Sequence, residues 1–65
     1  MEIRKLLKKE IISYVQKNPR KTIRQVSLGL EIHYYAIHEL IKELEKDGEI
    51  RLLPLGNAFE VAVNE

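Results

Sequence analysis

Apolar residues recur at helical spacing in three separate stretches of the chain. The first stretch predicts helix 1 over about residues 2–17. Its inner stripe would be formed by Ile3, Leu6, Leu7, Ile11, Tyr14 and Val15. Asn18-Pro19 should end this helix, because a residue that precedes proline is disfavoured in the helical conformation. Ile12 lies outside the stripe and belongs either to the edge of the core or to a contact with a second copy.

The second stretch predicts helix 2 over about residues 23–30. Thr22 and Gln25 have the spacing of a capping box, in which each side chain bonds the backbone N–H of the other residue. The helix should end near Gly29, since glycine is unfavourable within helices and common near their ends. Its inner face would be formed by Ile23, Val26, Ser27 and Leu30.

The third stretch predicts helix 3 over about residues 34–47. Ile32 should fill the turn before it, and Gly48 should close it in the left-handed conformation. Its inner face would be formed by Ile37, Leu40, Ile41 and Leu44. The opposite face carries Tyr35, His38, Glu39, Lys42 and Lys46, and Tyr34 lies between the two faces.

Beyond Gly48 the pattern changes from a helical period to extended runs. Two such runs within residues 49–63 are separated by Gly56-Asn57, which predicts a β-hairpin. In the second run Phe59, Val61 and Val63 share one side. The chain is therefore expected to be mainly α (α+β), with three helices and a two-stranded hairpin in one domain over residues 1–65.

Charge is unevenly divided along the chain, although the total is only +1. Residues 1–30 hold eight Lys or Arg against two Glu, a balance of +6, and residues 31–65 hold three against eight acids, a balance of −5. The amino-terminal half therefore suits contact with phosphates. Abundant Lys, Glu and Ile with no Cys hint at a heat-adapted source.

Several kinds of chemistry have no support in the sequence. There is no cysteine, and His33 and His38 do not have a metal-ligand spacing, so neither a metal nor a cofactor is expected. No glycine-rich phosphate loop or activated nucleophile occurs, so the protein is not expected to be an enzyme. No apolar run reaches the roughly 20 residues that cross a bilayer, and the N-terminus lacks the apolar stretch and cleavage site of a signal peptide, which predicts a soluble cytoplasmic protein.

The pattern as a whole resembles the winged helix-turn-helix family, in which three helices precede a hairpin called the wing. The residues that carry the resemblance are Thr22, Ile23, Val26, Ser27, Leu30, Ile32, Ile37, Ile41, Leu44, Gly48 and Ile50. They are mostly core positions, so they bear on the fold more directly than on function. A chain this short is most similar to the stand-alone winged helices of archaea and of their viruses or plasmids.

The resemblance implies that helix 3 enters the major groove of DNA, that helix 2 and its preceding loop touch phosphates, and that the wing reaches the minor groove. The implied phosphate contacts are Arg20, Lys21 and Arg24. The implied recognition-helix residues are His33, Tyr34, Tyr35, His38 and Lys42. The implied wing contacts are Arg51 and Asn57.

The sequence leaves the partner open. Sequence-specific binding of double-stranded DNA by a homodimeric transcription regulator is the leading hypothesis, since one short module buries little surface by itself. The alternative is a protein-interaction module, favoured by the acidic second half and by Leu55 at the wing tip, with a partner on the wing or on helix 1. A nonspecific coat for nucleic acid is disfavoured by the small net charge.

Two features depart from family patterns. Glu31 stands where the turn often has glycine, which implies a slightly altered turn. Winged helices that bind left-handed DNA carry an asparagine and a tyrosine on the third helix and paired prolines in the wing. Here those helix positions hold His38 and Lys42, and Pro54 is the single proline of the wing, so the resemblance does not extend to that specialisation.

Overall fold

Three helices followed by a small antiparallel sheet make up the chain in a computed structural model that describes residues 2–64. The elements are α1 (Ile3–Lys17), β1 (Lys21–Thr22), α2 (Ile23–Leu30), α3 (Tyr34–Lys46), β2 (Ile50–Leu55) and β3 (Ala58–Val63). The sheet order is β1-β3-β2. The predicted helices and hairpin are present, whereas the two-residue strand β1 was not predicted. No helix within residues 2–64 is long and apolar enough to cross a membrane.

The start of α2 is tied to the sheet through Thr22. The Thr22 Oγ1 accepts a hydrogen bond from the Gln25 N–H at 3.2 Å, and the Gln25 Oε1 accepts one from the Thr22 N–H at 2.9 Å. This is the predicted capping box. Thr22 also pairs with Glu60 of β3, so one residue both ends β1 and caps α2. The first turn of α2 is thereby held at a set position beside the wing.

The buried core draws on α1, α2, α3, β2 and β3. Its members are Ile11, Val15, Ile23, Val26, Ile37, Leu40, Ile41, Leu44, Ile50 and Val61. Ser27 is buried among them, and its Oγ donates to the Ile32 carbonyl oxygen at 2.8 Å. Because that bond spans the turn between α2 and α3, it helps to hold the two helices at their observed angle.

The first two turns of α1 differ from the prediction. Ile3 and Leu6 were placed on the inner stripe, but 72% of the Ile3 surface and 45% of the Leu6 surface are exposed. The buried residues of α1 are Ile11 and Val15, so the core packs against the second half of this helix. Ile12 is partly buried and packs against the core, which accounts for its position outside the stripe.

The basic residues of α1 meet acids of the same chain. Arg4 forms an ion pair with Glu43, and the Lys8 Nζ lies 3.2 Å from the Glu43 Oε1 and 3.8 Å from the Asp47 Oδ2. Surface pairs of this kind stabilise a fold by only about 0–1 kcal/mol each. Their larger consequence is electrostatic, since the end of α3 offsets part of the positive charge of α1.

The hairpin and the end of α3 have the predicted turn residues. Gly48 has φ +79°, and the N–H of Glu49 bonds back to the Leu44 carbonyl oxygen at 2.9 Å. In the wing, Gly56 has φ +62°, and the strands pair from Ile50 with Val63 to Leu55 with Ala58. Both positions require the left-handed conformation, which glycine adopts without strain.

Glu31 occupies the equivalent left-handed position at the end of α2, with φ 56° and ψ 39°. Changing Glu31 to glycine should raise the free energy of unfolding by about 1 kcal/mol. A residue with a Cβ is destabilised by about 1–2 kcal/mol in this conformation, and glycine avoids that strain. Glycine also has more conformational freedom in the unfolded state, which offsets part of the gain. Thermal unfolding measures the effect. Glu31→Ala is the control, since it removes the same carboxylate and keeps the strain. Equal stability of the two variants would contradict the strain argument.

Candidate nucleic-acid interface

An open groove of about 1100 Å³ lies between the α2–α3 turn and the tip of the wing. Five of the ten site residues predicted from the sequence line this groove, which we call the interface groove. They are Arg24, His33, Tyr34, His38 and Asn57. Residues from α2, α3 and the wing are thus brought to one surface, although up to 33 positions separate them in the chain.

The start of α3 carries four aromatic rings in one cluster. His33 caps the helix, and its Nδ1 accepts the Tyr35 N–H at 3.3 Å. The His33 and Tyr35 rings are stacked with centroids 5.6 Å apart, and Tyr34 lies 5.9 Å from Tyr35 and 6.0 Å from His38. Mutual packing restricts these rings, so less side-chain entropy is lost when they bind a partner.

Lys42 follows His38 by one helical turn on the same face of α3. It is exposed and lies outside the interface groove. The row of Tyr34, His38 and Lys42 therefore runs along one face of α3, and its first two members line the groove. An extended ligand that filled the groove would meet Lys42 as it left the groove.

The three predicted phosphate contacts do not form one cluster. Arg24 is exposed on the first turn of α2 and lines the interface groove. Lys21 is partly buried in β1, where it pairs with Val61. Arg20 has φ +66° and lies in a separate recess between α1 and β3. A ligand in the interface groove would reach Arg24 directly and Arg20 only by extending around the edge of the sheet.

The two predicted wing residues lie at different places. Asn57 is in the hairpin turn and faces the interface groove, whereas Arg51 is exposed near the base of β2 and pairs with Ala62. The wing tip therefore presents the Asn57 amide to the groove, and Arg51 is not one of the residues that line the groove.

Eight of the residues that line the groove were not among the predicted site residues, and three of them matter most for its chemistry. Leu28 is on α2 with 69% of its surface exposed, and Phe59 is on β3 with 50% exposed. Glu31 adds a carboxylate at the turn. The helical period placed Leu28 outside the inner face of α2. This was the one feature of the sequence that indicated an exposed leucine here. Phe59 was predicted to share one side of β3 with Val61 and Val63, and of these Val61 is buried whereas Phe59 is half exposed.

The sequence profile of the winged helix-turn-helix DNA-binding family matches residues 4–51. The chain belongs to this family. The resemblance that rested on core spacing is thus confirmed, and this winged helix is a DNA-binding domain by family. Comparison with curated protein sequences gives no match.

Two solved structures share the fold of this winged helix. The apo-Zalpha domain of zebrafish PKZ superposes with a TM-score of 0.92 at 12% identity, covering 98% of this chain and 100% of that one. A viral Zalpha domain bound to left-handed Z-DNA superposes with a TM-score of 0.73 at 28% identity, covering 97% of this chain and 87% of that one. The fold is therefore shared with a group that the sequence alone had set aside.

Proposed function

We propose that this winged helix binds double-stranded DNA in a sequence-specific way and regulates transcription. The observation that supports the proposal best is the composition of the interface groove. An arginine, a cluster of aromatic and imidazole rings, and an amide converge on it from α2, α3 and the wing tip. Those three kinds of group match the three parts of a DNA site, namely phosphate, base edge and minor groove.

Each residue then has a distinct role. Arg24 binds a phosphate, since its guanidinium is exposed at the edge of the groove. His38 and Lys42 lie on the face of α3 that enters the major groove and can donate to guanine N7 and O6. Asn57, at the wing tip, can donate to a minor-groove acceptor. Tyr35 supplies a hydroxyl for phosphate or a ring for a sugar.

The proposal includes a homodimer that acts on DNA inside the cell, in the cytoplasm. Specific protein–DNA complexes usually bury about 1,000–2,500 Å² of protein surface, which is hard for one module of this size to supply. Two exposed apolar faces lie outside the interface groove, one with Ile3 and Leu6 on α1 and one with Leu53 and Leu55 on the wing. Either is available to a second copy or to another protein.

The test is a fluorescence titration with mixed-sequence duplex DNA across a range of salt concentrations, run beside light scattering for mass. Binding that weakens with salt, by a dimer, would support the proposal and justify selecting a preferred site from random duplexes. A preferred site that binds no more tightly than mixed DNA would reject sequence specificity. A monodisperse protein that ignores all DNA at low salt would reject the proposal altogether.

Left-handed DNA is a second candidate ligand. The viral Zalpha domain, whose fold matches 97% of this chain, is bound to left-handed Z-DNA. Against it, His38 and Lys42 occupy the helix positions where such domains carry asparagine and tyrosine. Circular dichroism of an alternating CG duplex separates the candidates, because its spectrum inverts when the helix becomes left-handed. Inversion on adding protein would favour left-handed DNA over the proposed right-handed site.

A further inference from the structure

We infer that Glu39 of α3 reads cytosine, by accepting a hydrogen bond from the cytosine N4 amino group in the major groove. The inference rests on the proposed function and names one base that α3 selects. It starts from an exposed carboxylate on the helix face that the proposal places against DNA. Glu39 was not among the site residues expected from the sequence.

Glu39 lies on the side of α3 that points away from the core. The buried residues of this helix are Ile37, Leu40, Ile41 and Leu44. With 3.6 residues per turn, Glu39 falls opposite them, about one turn after Tyr35 and one turn before Lys42. All three of these side chains are exposed. Glu39 therefore shares the face of α3 with Lys42, which the proposed function places in the major groove.

The surroundings of Glu39 differ from those of the next acid on the same helix. Glu43 follows one turn later and is paired with Arg4 and Lys8 of α1. Glu39 forms no ion pair and no side-chain hydrogen bond within residues 2–64. Its carboxylate is therefore free to accept a hydrogen bond from a ligand. Against DNA it would only repel the phosphates if it found no donor there.

The major groove offers a carboxylate two kinds of donor, the N4 amino group of cytosine and the N6 amino group of adenine. In adenine the acceptor N7 lies beside the amino group, so its lone pair repels a carboxylate. Cytosine has a C–H group beside N4 instead, which makes it the better partner for Glu39. The guanine paired with that cytosine presents N7 and O6, which suit the donor Lys42. Together the two side chains match the donor and the acceptors of a G·C pair.

The first experiment blocks the cytosine donor and keeps the base pair. Duplexes selected for tight binding are made again with each cytosine replaced in turn by N4-methylcytosine. This base still pairs with guanine, but a methyl group takes the place of the N–H that faces the major groove. We expect about tenfold weaker binding at the contacted position, which is within the range for one mismatched base pair. Cytosines outside the contact should give no change.

Protein variants connect this effect to Glu39. Glu39→Gln keeps the size of the side chain and replaces the carboxylate by an amide, which suits adenine N6 and N7. We expect this variant to lose its sensitivity to N4-methylcytosine and to shift its preference at the contacted position from cytosine towards adenine. Glu10→Gln is the matched control, because it removes the same charge from an exposed position of α1 outside the interface groove. The control should keep the cytosine preference. Circular dichroism checks that both variants fold.

The possible outcomes separate this inference from the proposed function. If Glu39→Gln binds every duplex more tightly with an unchanged base preference, Glu39 only repels phosphates, and the inference is overturned while the proposed function stands. An N4-methylcytosine effect that persists unchanged in Glu39→Gln would also overturn it, since another residue would then read that cytosine. Equal affinity for the cytosine and N4-methylcytosine duplexes, with binding intact, would do the same. Absence of binding to every right-handed duplex would overturn both.

Discussion

Replacing Gly29 with alanine should lower the free energy of unfolding by about 1–2 kcal/mol. Overpacking destabilises a fold by about 1–3 kcal/mol. The higher helix propensity of alanine offsets only part of this loss. A Cβ at Gly29 would lie 2.9 Å from the Tyr14 Cε2 and closer still to the Tyr14 Cζ and Oη. Tyr14 is partly buried and packs against the core from α1. Its ring is rigid, so the whole side chain would have to rotate away.

Thermal unfolding measures this effect, and each 1 kcal/mol should lower the Tm of a domain this small by about 4–8 °C. Combining Gly29→Ala with Tyr14→Leu should cost less than the sum of the two single changes, since the leucine has no ring to displace. Tyr14→Phe removes the nearest atom, the Oη, and should give only part of this relief, because the Cζ and Cε2 also clash. A Gly29→Ala protein more stable than the original would show that Tyr14 moves freely and would contradict the packing argument.

Replacing Lys21 and Arg24 together with alanine should weaken DNA binding about tenfold at low salt, whatever the sequence of the duplex. Each phosphate contact releases condensed counterions, so the slope of log K against log salt should become shallower by about 1 for the loss of Arg24, which lines the groove, and by about 2 if the DNA also reaches Lys21. A fluorescence titration at several salt concentrations gives both quantities. Neither residue belongs to the buried core, so the fold should be retained.

The matched control is Lys5→Ala with Lys9→Ala, which removes the same charge from an exposed part of α1 outside the interface groove. The control pair should leave the salt slope nearly unchanged. Equal loss in both pairs would show that binding depends on net charge alone and would remove the special role of α2. Loss from Arg24→Ala but not from Lys21→Ala would instead agree with the position of Arg24 in the groove.

Features that depend on neighbours in sequence were predicted with accuracy. The capping box of Thr22 and Gln25, the left-handed Gly48 and the hairpin turn at Gly56-Asn57 are present as expected. Each involves atoms within a few residues of one another, so the local sequence contains the interaction that decides it. The core spacing of α2 and α3 was likewise sufficient to indicate the family.

Features that depend on the meeting of distant segments were predicted less well. Strand β1 exists only because β3 offers it a partner, and two residues carry no periodic signal of their own. The exposure of Ile3 and Leu6 depends on which part of α1 the rest of the chain packs against. A stripe pattern indicates which face of a helix is apolar and does not indicate how much of that face has something to pack against.

The sequence by itself determined the order of the three helices and the hairpin, their turns and the family, because helical period, capping residues and glycine positions are local properties of the chain. The tertiary structure decided which side chains share a surface. It brought Arg24, the rings of α3 and Asn57 to one groove, left Arg20 and Arg51 outside it, and added Leu28 and Phe59. The reason is physical. The shape of a groove depends on the distances and angles between packed elements, and side-chain packing throughout the core sets both.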